Sequence, residues 1–131
     1  MRILLTLLIC FYTTISHASQ NHYHLDISFQ PDQGRLQGKA TIEFPAGEQW
    51  QLFTTGLDIQ QISIQEEGKP PFELPIPAGD SISMYAGRLK QQVTVIYSLQ
   101  TDSRDYNNRI HPDGIALTSE WHPVPAQDIY G

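Results

Sequence analysis

His22 and His24 stand two residues apart. In an extended strand that spacing puts both imidazoles on one face. Such a pair can hold a metal if a third ligand arrives. No third His or Cys is offered by spacing, and Asp26 on the same face has an obvious partner in Lys39. A solvated strand face is therefore the simpler reading. Glu66-Glu67 is a carboxylate pair in a Gly/Pro-flanked turn. An acid/base couple needs one carboxyl buried with a raised pKa, and a turn is a poor place for that. Asp102, Arg104, Asp105 and Arg109 fall in one polar stretch, where a local ion-pair cluster is expected. Glu120-Trp121-His122-Pro123-Val124-Pro125 differs in kind. Its prolines hold the backbone extended. Its Trp and His, bracketed by acid and prolines, make either a contact surface or a cap on the core. The sequence contains no H-E-x-x-H helix and no Gly-rich phosphate loop, and no Ser-His-Asp arrangement is indicated. No recognisable catalytic motif and no metal-ligand set is present.

What must position these residues is a short chain. It has 131 residues, 14 acidic and 8 basic side chains and a net charge of −6. That is enough for one domain. The acidic balance, with no basic run, argues against nucleic acid. The single cysteine, Cys10, cannot make an internal disulfide. The start has a basic Arg2, an apolar run from Ile3 to Tyr12, and small residues Ser16 and Ala18 around His17. This pattern reads as a secretory signal peptide over residues 1–18, a short apolar helix too brief to span a membrane. Its removal after Ala18 would take away Arg2 and Cys10 and leave residues 19–131 as one cysteine-free exported domain, periplasmic or secreted. Cleavage one residue later would set His22 third from the new terminus, a geometry that binds copper or nickel.

From Tyr23 onward the apolar residues alternate with period two, the signature of strands. Tyr23, Leu25, Ile27 and Phe29 share one face, and His22, His24, Asp26 and Ser28 the other. Pro31-Asp32-Gln33-Gly34 is turn chemistry. Leu36, Gly38, Ala40, Ile42 and Phe44 then resume the inward face. Pairing Gln30 with Arg35 sets Asp26 opposite Lys39, His22 opposite Glu43, Phe29 opposite Leu36 and Tyr23 opposite Ile42. That register satisfies charge and apolar matches together. Shorter strands are expected at Trp50–Phe53, at Leu57–Ile64 with a slip at Gln60-Gln61, at Ser81–Tyr85 and at Gln92–Ser98. A last strand is expected at Ile115–Thr118. The proline-rich stretch from Glu66 to Pro77 is barred from a central strand. Residues Thr101 to Gly114 read as a long polar loop. The fold class that follows is all-β: an antiparallel β-sandwich or saddle-like sheet behind the signal peptide helix.

The strand segments, taken in order, resemble a known family. Tyr23-His24-Leu25-Asp26-Ile27, a Pro-Asp turn, then Leu36-Gln37-Gly38-Lys39-Ala40-Thr41-Ile42 resembles the opening hairpin of the gluzincin zinc aminopeptidases. These are the relatives of alanyl aminopeptidase and leukotriene hydrolase. Leu52 to Ile64 is similar to the family's "L…L-x-I-x-x-V-x-V" segment. Gln92 to Tyr97 resembles its "V-x-I-x-Y" strand. Gly114-Ile115-Ala116-Leu117 followed by Trp121-His122-Pro123 resembles the "G-x-x-L…W-Y-P" close of bacterial members.

The resemblance implies a saddle-shaped N-terminal β-domain that is not an enzyme on its own. In the full-length family this domain packs on a catalytic domain whose H-E-x-x-H and distant Glu bind zinc. No zinc or other cofactor is implied for this chain itself. The domain also lends a segment ending in proline to the pocket for the substrate's free N-terminus. Carried over by position, that segment is Glu120 to Pro123, with Glu120, Trp121 and His122 as pocket residues. Several members have Gln and Glu where this chain has Glu and His. The implied partners are a catalytic domain, absent from this sequence as in a fragment or truncation, and a peptide substrate. Two other readings stand beside this one. One is a stand-alone periplasmic β-sandwich that binds a peptide or protein partner. The other is a small exported enzyme of unfamiliar type.

Overall fold

A computed structural model of the chain describes residues 22–47, 49–84, 87–102, 108–118 and 120–126. The expected signal peptide, residues 1–18, lies outside the described residues, as do Tyr85, Arg104 and Asp105. Among the described residues there are ten strands. They are β1 (Tyr23–Gln30), β2 (Arg35–Phe44), β3 (Trp50–Phe53), β4 (Asp58–Glu66), β5 (Phe72–Leu74), β6 (Ser81–Met84), β7 (Gln91–Gln100), β8 (Asn108–His111), β9 (Gly114–Leu117) and β10 (Val124–Pro125). All pairings are antiparallel: a five-stranded sheet ordered β1-β2-β7-β4-β5, a three-stranded sheet β10-β3-β6 and the β8–β9 hairpin. The fold is all-β.

Inward residues of both larger sheets share one core. Leu36, Ala40, Ile42 and Phe44 of β2 meet Ile62 and Ile64 of β4 and Val93, Val95 and Tyr97 of β7, with Trp50, Leu52 and Ile82 from the smaller sheet. Trp50 stacks on Phe44 with ring centroids 4.7 Å apart. Its indole N–H donates to Gln91 Oε1 at 2.8 Å, which satisfies the one polar atom that a buried Trp carries. Where β2 crosses β7, Gly38 faces Tyr97. A Cβ on Gly38 would sit 2.3 Å from Tyr97 Cζ, so only glycine leaves room for the ring there.

The β1–β2 register is the one the residue pattern requires. Tyr23 pairs with Ile42, Asp26 with Lys39, Phe29 with Leu36 and Gln30 with Arg35. The Glu43 amide donates to the His22 carbonyl at 3.0 Å, which extends the ladder to that pair. The turn is a 3-10 turn, Pro31–Gln33, closed by Gly34 at φ 63, a left-handed conformation suited to glycine. The slip at Gln60-Gln61 is a β-bulge in β4 against β7. The proline-rich stretch contributes only β5, a three-residue edge strand, where missing N–H donors cost no ladder bonds.

Four expectations are corrected. Phe29 is not inside: it is 39% exposed, although Leu36 opposite it is fully buried. An edge strand has a neighbour on one side only, so its terminal side chain is left open. Asp26 does not bond Lys39, although the two are cross-strand partners. Its Oδ1 lies 3.3 Å from His24 Nε2. Both of those groups are well exposed, so the pair contributes little. The stretch Thr101–Gly114 is not all loop, because Asn108–His111 forms β8 and turns at Pro112-Asp113 into β9. Nor is β9 the last strand. Val124-Pro125 follows and pairs with Phe53 and Leu52 at the edge of the smaller sheet.

Candidate functional site

The segment Glu120–Pro125 is fixed from three directions. At its end, β10 pairs Val124 with Phe53 and Pro125 with Leu52. At its start, the buried Asn108 of β8 accepts from the Thr118 amide through Oδ1 at 3.1 Å and donates through Nδ2 to the Glu120 carbonyl at 3.4 Å. In the middle, the Tyr23 hydroxyl of β1 donates to the Pro123 carbonyl. That oxygen also lies 3.0 Å from His122 Nδ1. The segment therefore connects the edge strand of the large sheet to the edge strand of the small one.

The contacts of His122 constrain its tautomer. Nδ1 is 3.0 Å from the Pro123 carbonyl oxygen, which can only accept. We therefore assign the ring proton to Nδ1, whose single N–H is shared between that carbonyl and the Tyr23 hydroxyl oxygen. In the neutral ring Nε2 keeps its lone pair and is left as an acceptor. The imidazole is gripped edge-on by two aromatic rings. Tyr23 lies 5.7 Å away at 71° and Trp121 4.6 Å away at 83°. Trp121 is half-buried and packs against the core, while Glu120 is exposed. Trp121 thus does the capping work while its neighbour Glu120 faces solvent.

The other candidates lie elsewhere. His22 and His24 are on the outer face of the β1 end of the large sheet, and His24 is engaged with Asp26. Glu66 ends β4. It accepts from Gln91 Nε2 at 3.3 Å and pairs with Lys69 at 3.2 Å. Hydrogen bonding from Lys69, then from Gln91, holds its carboxyl below the ordinary value of 4.5. A carboxyl lowered in this way is ionised at neutral pH, which is the opposite of what a general acid needs. Glu67 is tied through its backbone amide to the Lys90 carbonyl. Arg109 sits on β8 and lines a shallow depression of about 250 Å³ with Asp102, Asp32 and His111. Among the described residues no three of His, Cys, Asp and Glu gather as a metal-binding group.

Tyr23 and Asn108 are the site residues that sequence reading missed. Tyr23 alternates correctly as a core residue, and only its hydroxyl signals a second task. Asn108 opens β8 with no apolar pattern to flag it. No protein-family model matches the chain, and no curated protein matches it.

Proposed function

We propose that the chain is the non-catalytic N-terminal β-domain of an exported zinc metallo-aminopeptidase. In this reading it packs on a catalytic domain and lines the pocket for the substrate's free N-terminus with Glu120, Trp121 and His122. The observation that carries the reading is the contact between Gly38 and Tyr97. Two of the segments on which the family resemblance rests, "L-x-G-x-A-x-I" and "V-x-I-x-Y", meet there. The glycine of one makes room for the tyrosine of the other. The pattern thus has a packing reason rather than being a chance string of alternating residues.

The pocket chemistry is consistent with the departure at His122. A substrate ammonium needs acceptors and negative charge. Glu120 supplies the charge. The Nε2 lone pair of His122, fixed as an acceptor by the bonds to Nδ1, supplies a directed partner. In this reading the zinc and the water it activates are supplied by the catalytic domain.

The test has two arms. The reading frame that encodes this chain is followed past Gly131; an H-E-x-x-H segment in frame, or across a single frameshift, is expected. The purified chain is assayed with zinc on an aminoacyl reporter, and no hydrolysis is expected. Metal-dependent hydrolysis by the chain alone, or a downstream sequence without that segment, overturns the proposal.

A further inference from the structure

The two edges of the large sheet are treated differently. At one edge β5 is three residues long and sits among Pro70, Pro71 and Pro75. Short edges and prolines are how sheets avoid adding a foreign strand. At the other edge β1 is eight residues long, Tyr-His-Leu-Asp-Ile-Ser-Phe-Gln. It has no proline, glycine or lysine, and its pairing with β2 shows no bulge.

The ladder parity says which groups are open. The Glu43 amide bonds the His22 carbonyl, so His22 and Glu43 are a hydrogen-bonded pair. In an antiparallel ladder such pairs recur every second residue. His24, Asp26, Ser28 and Gln30 therefore aim their backbone groups at β2. The N–H and C=O of Leu25, Ile27 and Phe29 aim outward, where the described residues offer them no partner. Phe29, 39% exposed, marks the end of the same edge.

We propose that this edge pairs with β1 of a second copy of the chain, antiparallel, joining two large sheets into one. One register pairs the three open residues with one another. Leu25 lies opposite Phe29 of the second copy, and Ile27 lies opposite its own counterpart. Each pair exchanges both backbone bonds, and the inner face gains a row of apolar contacts that covers Phe29. On the outer face Asp26 comes opposite Ser28 of the second copy, whose hydroxyl can donate to the carboxylate, and His24 comes opposite Gln30. Sliding one copy by two residues in one direction sets Asp26 against Asp26, like charge on like charge, which is unfavourable, and sliding it two in the other sets Leu25 against Pro31, which has no N–H to give. Sliding further enlists Tyr23, whose hydroxyl already holds the Pro123 carbonyl. Charge and apolar matching thus select a single self-complementary register, as a two-fold interface requires. This inference does not rest on the aminopeptidase reading.

Sedimentation equilibrium of the purified protein over a concentration series, with amide hydrogen exchange on the same samples, tests it. A monomer–dimer equilibrium is expected, with the Leu25, Ile27 and Phe29 amides gaining protection as the dimer fills. Ile27→Pro removes an outward donor without touching the bonds to β2, and Phe29→Lys puts a charge on the open edge. Each is expected to weaken association at least about tenfold. Unchanged protection of the Ala40 and Ile42 amides, which face β7, shows that the variants are folded. Phe29→Lys carries the test should the proline disturb the strand. A monomer at every concentration overturns the proposal. So does a dimer that leaves the three amides unprotected or that both folded variants retain.

Discussion

The Tyr23 hydroxyl lies 3.0 Å from Nδ1 of His122, a residue 99 positions further along the chain. It also donates to the Pro123 carbonyl. One phenol on the first strand thus helps set the ring orientation of a candidate site residue near the end of the described chain, whose tautomer follows from the Pro123 carbonyl. The site is therefore sensitive to β1, which also presents the Tyr23 ring edge-on to the imidazole.

Tyr23→Phe is expected to keep the ring packing and lose these bonds. The cost in stability should be about 0.5–1.5 kcal/mol, the usual worth of a hydrogen bond between neutral groups. Urea unfolding measures that cost. The 15N shifts of His122 should show Nδ1 protonated and Nε2 bare in the wild type at alkaline pH. A wild-type ring with its proton on Nε2 would contradict the assignment made from the Pro123 carbonyl.

Gly38→Ala should be expensive for the addition of a single methyl group. The added Cβ would stand 2.3 Å from Tyr97 Cζ and 2.5 Å from its hydroxyl. The ring is fully buried and cannot swing away freely. Overpacking of this kind costs about 1–3 kcal/mol. Trimming the obstacle in the same chain should recover part of it. A double-mutant cycle of Gly38→Ala with Tyr97→Leu is expected to give a favourable coupling of about 1 kcal/mol or more. Strict additivity of the two substitutions would mean that the contact does not matter.

Tyr97 also carries a buried hydroxyl with no hydrogen-bond partner among the described residues. Burial pushes its pKa up to about 12 from the ordinary 10. The folded state keeps a proton that the unfolded chain releases above pH 10, so stability should fall as pH rises from 10 towards 12. Tyr97→Phe removes both effects. It should leave stability at neutral pH unchanged or raised by up to about 1 kcal/mol, and it should flatten the alkaline decline. Thermal unfolding between pH 9 and 12 distinguishes the two chains.

The β1–β2 hairpin could be read from residues because three constraints agree there. Turn residues, apolar alternation and opposite charges all select the Gln30–Arg35 register. The slip at Gln60 was legible for a related reason: a bulge breaks a period of two, and that break is visible in the order of Ile59 and Ile62. Strand β8 was not legible because Asn108-Arg109-Ile110-His111 holds one apolar residue. Its order comes from pairing with β9 and from Thr101, whose Oγ1 accepts the Ile110 amide. Strand β10 hid behind its prolines, which an edge position tolerates. The segment Glu120–Pro123 could be singled out by composition. Its anchoring by Tyr23 and Asn108 could not, because nothing local in either residue's neighbourhood points across the fold.

The chain of bonds from Trp50 through Gln91 to Glu66 and Lys69 gives a separate test at the other end of the sheet. Gln91 accepts from the buried Trp50 indole and donates to Glu66. Gln91→Leu strands the indole N–H in the core, which should cost about 1–3 kcal/mol by urea unfolding. Glu66 acts through charge. Its carboxyl is lowered in the folded state, so its contribution is present above the ordinary 4.5 and disappears as pH falls through the lower folded value. Glu66→Gln should therefore reduce stability at pH 7 and have little effect in strong acid. Equal losses at both pH values would show that the carboxylate's charge plays no part.

Glu120 separates function from stability. Its side chain is exposed, and what the described contacts fix is its carbonyl, held by Asn108. Glu120→Gln keeps the size and the backbone contacts and removes only the charge. In the complete aminopeptidase of the proposed function it should raise KM for substrates with a free N-terminal ammonium by about tenfold, the loss of about 1.4 kcal/mol of charge-assisted bonding. The unfolding midpoint should not move. Substrates with a blocked amine would bind no worse than before, since they carry no charge to lose. Asn108→Ala should instead lower stability and weaken binding together, because it releases the Glu120 and Thr118 backbone. An unchanged KM in Glu120→Gln would remove Glu120 from the pocket.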